Sequence, residues 1–284
     1  MPAPELLAVG SALAFSISNL TVRKALKSVS SPFGAIVTFS FATLAMWLLV
    51  ILGHYDTPSR QGLALFGLRG LLDPGISALF VFVAFRKIGI SITIPIIAAS
   101  SLISTTLSVI LLNESLTLAI ILGTLMIMGG VALLTVKKNK VENIKYAGFA
   151  ILGSTAIGLA NVVTKFALND SNTPVAGVAV AFSAGLAFQL LAMAALKKWK
   201  EIPLKFETAK LFALAGLVVA VAFVLMIMAT ALGKVSIIVP LLSTQPLFAL
   251  ILSFLFLRAQ EKITRGVILG TAAIVTGAAL LSLA

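Results

Sequence analysis

Gly123-Thr124-Leu125-Met126-Ile127-Met128-Gly129-Gly130-Val131-Ala132-Leu133-Leu134 returns 147 positions later as Gly270-Thr271-Ala272-Ala273-Ile274-Val275-Thr276-Gly277-Ala278-Ala279-Leu280-Leu281, with seven of twelve positions identical. The same offset pairs Glu114-x-x-Thr117 with Glu261-x-x-Thr264. Slightly shorter offsets pair Ser91-Ile92-x-x-Pro95 with Ser236-Ile237-x-x-Pro240, and Asn19-x-x-x-Arg23-x-Ala25-Leu26 with Asn161-x-x-x-Lys165-x-Ala167-Leu168. The matches are collinear, which marks a tandem duplication. The copies divide as residues 1–140 and 141–284.

Each copy is apolar throughout. The 284 residues are 60% hydrophobic and 11% charged, and the mean hydropathy is +1.14. A soluble domain is about 45–50% apolar and about 25% charged. A water-soluble core of this size cannot hide so many apolar side chains. A soluble enzyme and a disordered chain are therefore excluded. The apolar runs are continuous, without the period-2 alternation of a barrel strand, so the chain reads as an all-α integral membrane protein.

Loop punctuation places ten spans near 4–23, 33–53, 63–85, 91–112, 116–136, 146–166, 174–196, 209–231, 235–257 and 265–283. Five spans per copy is an odd number. Two tandem copies must then cross the membrane in opposite senses, as an inverted repeat about an axis in the membrane plane. If the halves differ slightly in conformation, exchanging those conformations turns an outward opening into an inward one.

The formal charge is +12, and 17 of the 21 basic residues fall in the connections after spans 1, 3, 5, 7 and 9. The positive-inside rule puts those connections in the cytoplasm and both termini outside. It also explains the charge without nucleic acid, which is not expected as a partner. Met1-Pro2-Ala3-Pro4-Glu5 has no basic residue, so the first run reads as a retained span, not a secretory leader. With no cysteine and a single histidine, neither a metal site nor any other cofactor is expected. There is no phosphate-cradling G-x-x-x-x-G-K-[ST] and no nucleophile–base pair, so neither ATP-driven pumping nor covalent catalysis is expected.

The segments Ala84-Phe85-Arg86-Lys87-Ile88-Gly89, Pro95, Leu112-Asn113-Glu114-Ser115-Leu116-Thr117 and Gly123-Thr124 have second copies in Ala231-Leu232-Gly233-Lys234-Val235-Ser236, Pro240, Gln260-Glu261-Lys262-Ile263-Thr264 and Gly270-Thr271. This pattern resembles the EamA family of the drug/metabolite transporter superfamily over nearly the whole chain. The resemblance implies a central cavity lined by spans 1, 3, 4, 6, 8 and 9, with spans 5 and 10 as buttresses. It also implies export of amino acids or other small metabolites.

The residues themselves nominate a site. Of nine acids, Asp73 alone falls near the middle of a span. A carboxylate there costs about 2.5–3.5 kcal/mol on insertion scales unless it faces a cavity or a partner. Arg69 lies one helical turn earlier, and Pro74-Gly75 follows, where a kink or unwound turn is expected. At an offset of 145 the second copy has Leu214 and Val218, so the pair stands outside the repeat. One reading is a cavity floor, with Arg69 meeting a substrate carboxylate and Asp73 an amine. The other is a structural salt bridge at a helix end.

Asn19 and Asn161 match across the copies and serve either as helix glue or as substrate contacts. Ser101 and Thr105 in span 4 and Gln245 in span 9 complete the candidate substrate-binding set. Pro95, Pro240 and Pro246 free backbone carbonyls in spans 4 and 9 and are candidate helix breaks with Pro74 and Gly75. Glu114 and Glu261 read as caps on the helices that follow them, and the repeat glycines as close-packing positions.

The expected function is secondary transport of small polar or amphipathic metabolites, amino acids foremost, by a monomer in the cell (inner) membrane. The alternatives are a multidrug or organic-cation exporter, a lipid enzyme or scramblase, and a passive channel.

Overall fold

The structure is a computed structural model that describes residues 3–26, 29–88, 93, 96–135, 146–195, 206–257 and 265–283. Every regular element among them is helical. The first copy holds α1 (Pro4–Ala25), α2 (Ser31–Leu52), α3 (Arg60–Gly70), α4 (Ser77–Lys87), α5 (Ser100–Leu112) and α6 (Leu118–Thr135). The second holds α7 (Ala147–Asp170), α8 (Pro174–Ala195), α9 (Phe206–Leu232), α10 (Val235–Leu242), α11 (Gln245–Leu257) and α12 (Arg265–Ser282).

The ends follow local chemistry. α1 and α2 carry proline in their first turn, where a missing N–H leaves nothing unpaired. Ser59 Oγ caps α3 by accepting from Gly62 N at 2.8 Å. Asn113 closes α5 in the left-handed region, at φ 55°.

Among the described residues, six helical stretches are long and apolar enough to cross a bilayer: Pro4–Val22, Pro32–Leu52, Arg60–Phe85, Ala147–Asp170, Pro174–Ala195 and Phe206–Leu232. Shorter apolar helices stand where spans 4, 5, 9 and 10 were expected. Span 3 differs from its expected 63–85 by starting at Arg60 and running to Lys87. Asp73 is therefore well inside the span, although Arg69 stands in the last turn of α3, beside the interruption that follows Gly70.

Span 9 is not one helix. It breaks between α10 and α11, where Ser243 N reaches Pro240 O at 3.0 Å and Thr244 N reaches Leu241 O at 3.1 Å. The helix tightens there because Pro246 has no N–H to continue the ladder. A turn at Ala99, 145 positions earlier, precedes α5 in the same way. Both copies thus carry this break.

The packing repeats under exchange of the halves. α1 lies against α9, and its repeat partner α7 lies against α3. α1 also meets α10 and α11, as α7 meets α5. α2 pairs with α8, and α6 with α12. The last pair meets backbone to backbone. A Cβ on Gly130 would sit 2.6 Å from Gly270 O, and one on Gly277 2.7 Å from Gly123 O. These are the repeat glycines, acting as close-packing positions.

Phe39, Phe66, Phe182 and Phe223 belong to one buried cluster between the halves. Ile127, Ile238 and Ile274 anchor a second beside α6 and α12. Large apolar side chains such as Leu44, Leu52 and Leu191 remain exposed on the outside, as hydrocarbon-facing positions should.

Candidate functional site

Between α3 and α4 the helix is interrupted over Leu71–Ile76, where Asp73 is extended at φ −146° and ψ 115°. Pro74 supplies no N–H, so the ladder opens and leaves carbonyls to be satisfied. Arg69 Nη1 donates to Asp73 O at 2.5 Å, and Gln189 Nε2 on α8 donates to Pro74 O at 2.8 Å. The broken turn is thus held by two side chains in place of a helix bond.

Asp73 is held from two sides. Arg69 Nη2 donates to Oδ2 at 3.2 Å, and Ser77 Oγ donates to Oδ1. Arg69 in turn donates through Nε to Thr164 Oγ1 at 3.3 Å. Its guanidinium lies 4.5 Å from the Phe223 ring centroid. The Arg69 side chain is 0% exposed, and that of Asp73 is 15% exposed.

Asp73 borders a cavity of about 210 Å³ at the junction of the two copies. Its polar lining includes Asn19, Asp73, Ser100, Asn161, Ser243 and Gln245. Its aromatic lining comprises Phe15, Phe39, Phe82, Phe85 and Phe223. An engineered apolar cavity of about 150 Å³ takes benzene, so this one suits a small metabolite. Asn161 is also fixed from behind, donating through Nδ2 to Ser104 Oγ at 3.2 Å.

The structure gathers Asn19, Asp73, Asn161 and Gln245 around one space and leaves three other candidates outside its lining. Arg69 lies behind the wall, because the carboxylate and carbonyl of Asp73 already occupy its donors. It does not face a substrate carboxylate as expected. Ser101 stands one layer back, bonded to Ser243 Oγ at 2.6 Å. Thr105 is buried away from the cavity, its hydroxyl without a hydrogen-bond partner among the described residues. Pro74 and Gly75 form the break itself. Pro240 lies inside α10, and Pro246 touches the cavity at the start of α11. Pro95 and Glu261 lie outside the described residues.

Sequence reasoning missed several parts. Thr38 and Phe39 bring α2 into the wall, beyond the spans implied by the resemblance. Ser77, one turn after Asp73, and Gln189, a buried carboxamide in span 7, were both visible as intramembrane polar residues. Glu114 is a cap, but not on the helix that follows it. Its Oε1 and Oε2 accept from Val235 N at 2.8 Å and Ser236 N at 2.9 Å, at the start of α10 in the other copy.

The family model described as "EamA-like transporter family" matches the chain twice, over residues 3–136 and 144–283. A solved structure named "Crystal structure of protein" superposes with a TM-score of 0.80 at 18% identity, over 99% of this chain and 98% of that one, a likeness of fold alone. No curated protein matches the chain. With both copies matched, the chain belongs to the EamA-like transporter family and is a multi-pass membrane transporter of the drug/metabolite type.

Proposed function

We propose that the protein exports small amphipathic metabolites, amino acids foremost, by alternating access between two inverted five-span halves, residues 1–140 and 141–284. The observation that carries this reading is the cavity between the copies, lined by a paired carboxylate, carboxamides and phenylalanines. The ten-span, inverted arrangement is supported by packing that repeats when the halves are exchanged.

The balance of charge favours a net-neutral solute. Asp73 is countered by Arg69, so the pair brings no net charge to the wall. A zwitterion fits such a wall. Its amine meets the exposed edge of Asp73, and its carboxylate accepts from the amides of Asn19, Asn161 or Gln245. An organic cation is the second reading, favoured by the five phenylalanine rings. It is disfavoured by the sharing of the carboxylate with Arg69.

With the termini outside, as the charge bias directs, the cavity reaches the cytoplasmic end. Its lining extends to Val22 and Phe85, near the ends of α1 and α4 at that face. This is the loading state of an exporter. Reporter fusions at each terminus test the orientation. The function is tested by saturable counterflow in proteoliposomes, with neutral amino acids and hydrophobic cations competing. Transport unaffected by Asp73→Asn and Asn161→Ala together would remove the assigned site.

A further inference from the structure

The lining of the cavity stops short of the end opposite Val22 and Phe85. No residue of α7 beyond Asn161 lines it, and α7 continues to Asp170, roughly 13 Å further at about 1.5 Å per residue.

A belt of polar contacts crosses this end. Ser59 N donates to Ser171 Oγ at 3.1 Å, and Ser59 Oγ donates to Asp170. Lys165, on the last turns of α7, donates to Thr230 O at 2.8 Å and Gly233 O at 2.9 Å. Next in the chain, Lys234 donates to Ser115 Oγ at 3.0 Å. Val235 and Ser236 donate to the two Glu114 oxygens. Lys165 and Lys234 are two of the four basic residues outside the charge bias, and both are used here.

The Ser59 and Glu114 contacts join one copy to the other. A carboxylate accepting two backbone N–H groups at a helix start is among the stronger polar contacts a protein makes. Such a contact is also discrete, either made or broken when the halves part.

We propose that Glu114 on the start of α10, together with Asp170 on Ser59, fastens the two halves and holds this end of the cavity shut. The proposal rests on the alternating-access reading. Releasing these contacts lets the halves part here and close at the other end.

The chain has no cysteine, so single cysteines report accessibility without background. Ala167→Cys sits on the part of α7 beyond the lining, where Ala167 is 0% exposed. Val22→Cys lies in the cavity wall. Each is labelled with a hydrophilic maleimide, with and without Glu114→Ala plus Asp170→Ala. Asp170 is changed in preference to Ser59 because Ser59 also caps α3. The expected result is a reciprocal change: labelling at position 167 rises about tenfold, and labelling at position 22 falls. An unchanged rate at 167 overturns the proposal. A rise at both positions also overturns it, since the contacts then only hold the fold together. The pair Ser59→Cys and Ser171→Cys, oxidised to a crosslink, separates this from the reading beneath it. Transport that stops and returns on reduction supports a face that must open. Transport that continues with the crosslink intact sinks alternating access itself, whatever the labelling shows.

Discussion

Arg69→Met separates two roles for this arginine. The guanidinium is fully buried, and its partners are the carboxylate and carbonyl of Asp73, Thr164 and the Phe223 ring. Removing one member of a buried ion pair costs about 3–5 kcal/mol, mostly from the charge left behind. For a chain of this size each kcal/mol moves the unfolding midpoint by roughly 2–4 °C. Arg69→Met is therefore expected to lower the midpoint in detergent by about 6–20 °C. Asp73→Asn should cost at least as much, because it leaves the fully buried guanidinium without a counter-charge, whereas Arg69→Met leaves a carboxylate that edges on the cavity. Replacing a whole buried pair by neutral groups is often close to neutral, so the double variant should be more stable than the sum of the single losses by about 2 kcal/mol or more. The assay is thermal unfolding of the four proteins in one detergent, with counterflow on each. An unshifted midpoint in Arg69→Met, with transport abolished, would refute the reasoning. Arg69 would then touch the solute and would not merely hold Asp73.

Other expectations follow from single contacts. Gln189→Leu leaves Pro74 O unpaired at the break and should cost about 1–3 kcal/mol, read as a lower midpoint. Gly130→Val sets a Cβ against the backbone of Gly270, and should separate α6 from α12 enough to give aggregated protein on size exclusion. Phe82→Ala removes an aromatic wall of the cavity and should raise the half-saturation concentration about tenfold for apolar amino acids, with little change for glycine. Lys210→Ala breaks an exposed pair with Glu207 and a contact with the exposed Phe206 ring and should leave the midpoint unmoved.

The duplication was legible because helix packing leaves marks that survive divergence. The α6–α12 contact needs Gly123, Gly130, Gly270 and Gly277, since a side chain there meets backbone. The break beside Asp73 was legible for a similar reason, as Pro74-Gly75 can hardly continue a helix. What the sequence hid was direction. Arg69 and Asp73 share a helical face by spacing, but the extended Asp73 backbone turns the arginine inward onto its own pair. Glu114 hid its partner likewise. Spacing relates it to the helix that follows, whereas the contact is with a helix start about 120 residues away, which only tertiary structure brings near.

The asymmetry of the site is also visible in the packing of the two copies. Gly70 and Gly216 play the same part, each pressed against a neighbouring backbone, at Ala181 and Thr38 respectively. They stand 146 positions apart, whereas Pro95 and Pro240 stand 145 apart. Between these markers the first copy holds one residue more than the second. The first copy opens its helix at Leu71–Ile76, while α9 runs unbroken for 27 residues. The counterpart of Arg69 is then the buried Ala215, not Leu214, which is 50% exposed on the outer surface. The counterpart of Asp73 becomes Val219, which lines the same cavity. The opened helix of the first copy therefore brings Asp73 to the cavity, where the unbroken α9 brings Val219. Writing an aspartate at position 219 would not restore the symmetry. α9 has neither the opened turn nor an arginine behind it, so the new carboxylate would stand unpaired in the membrane.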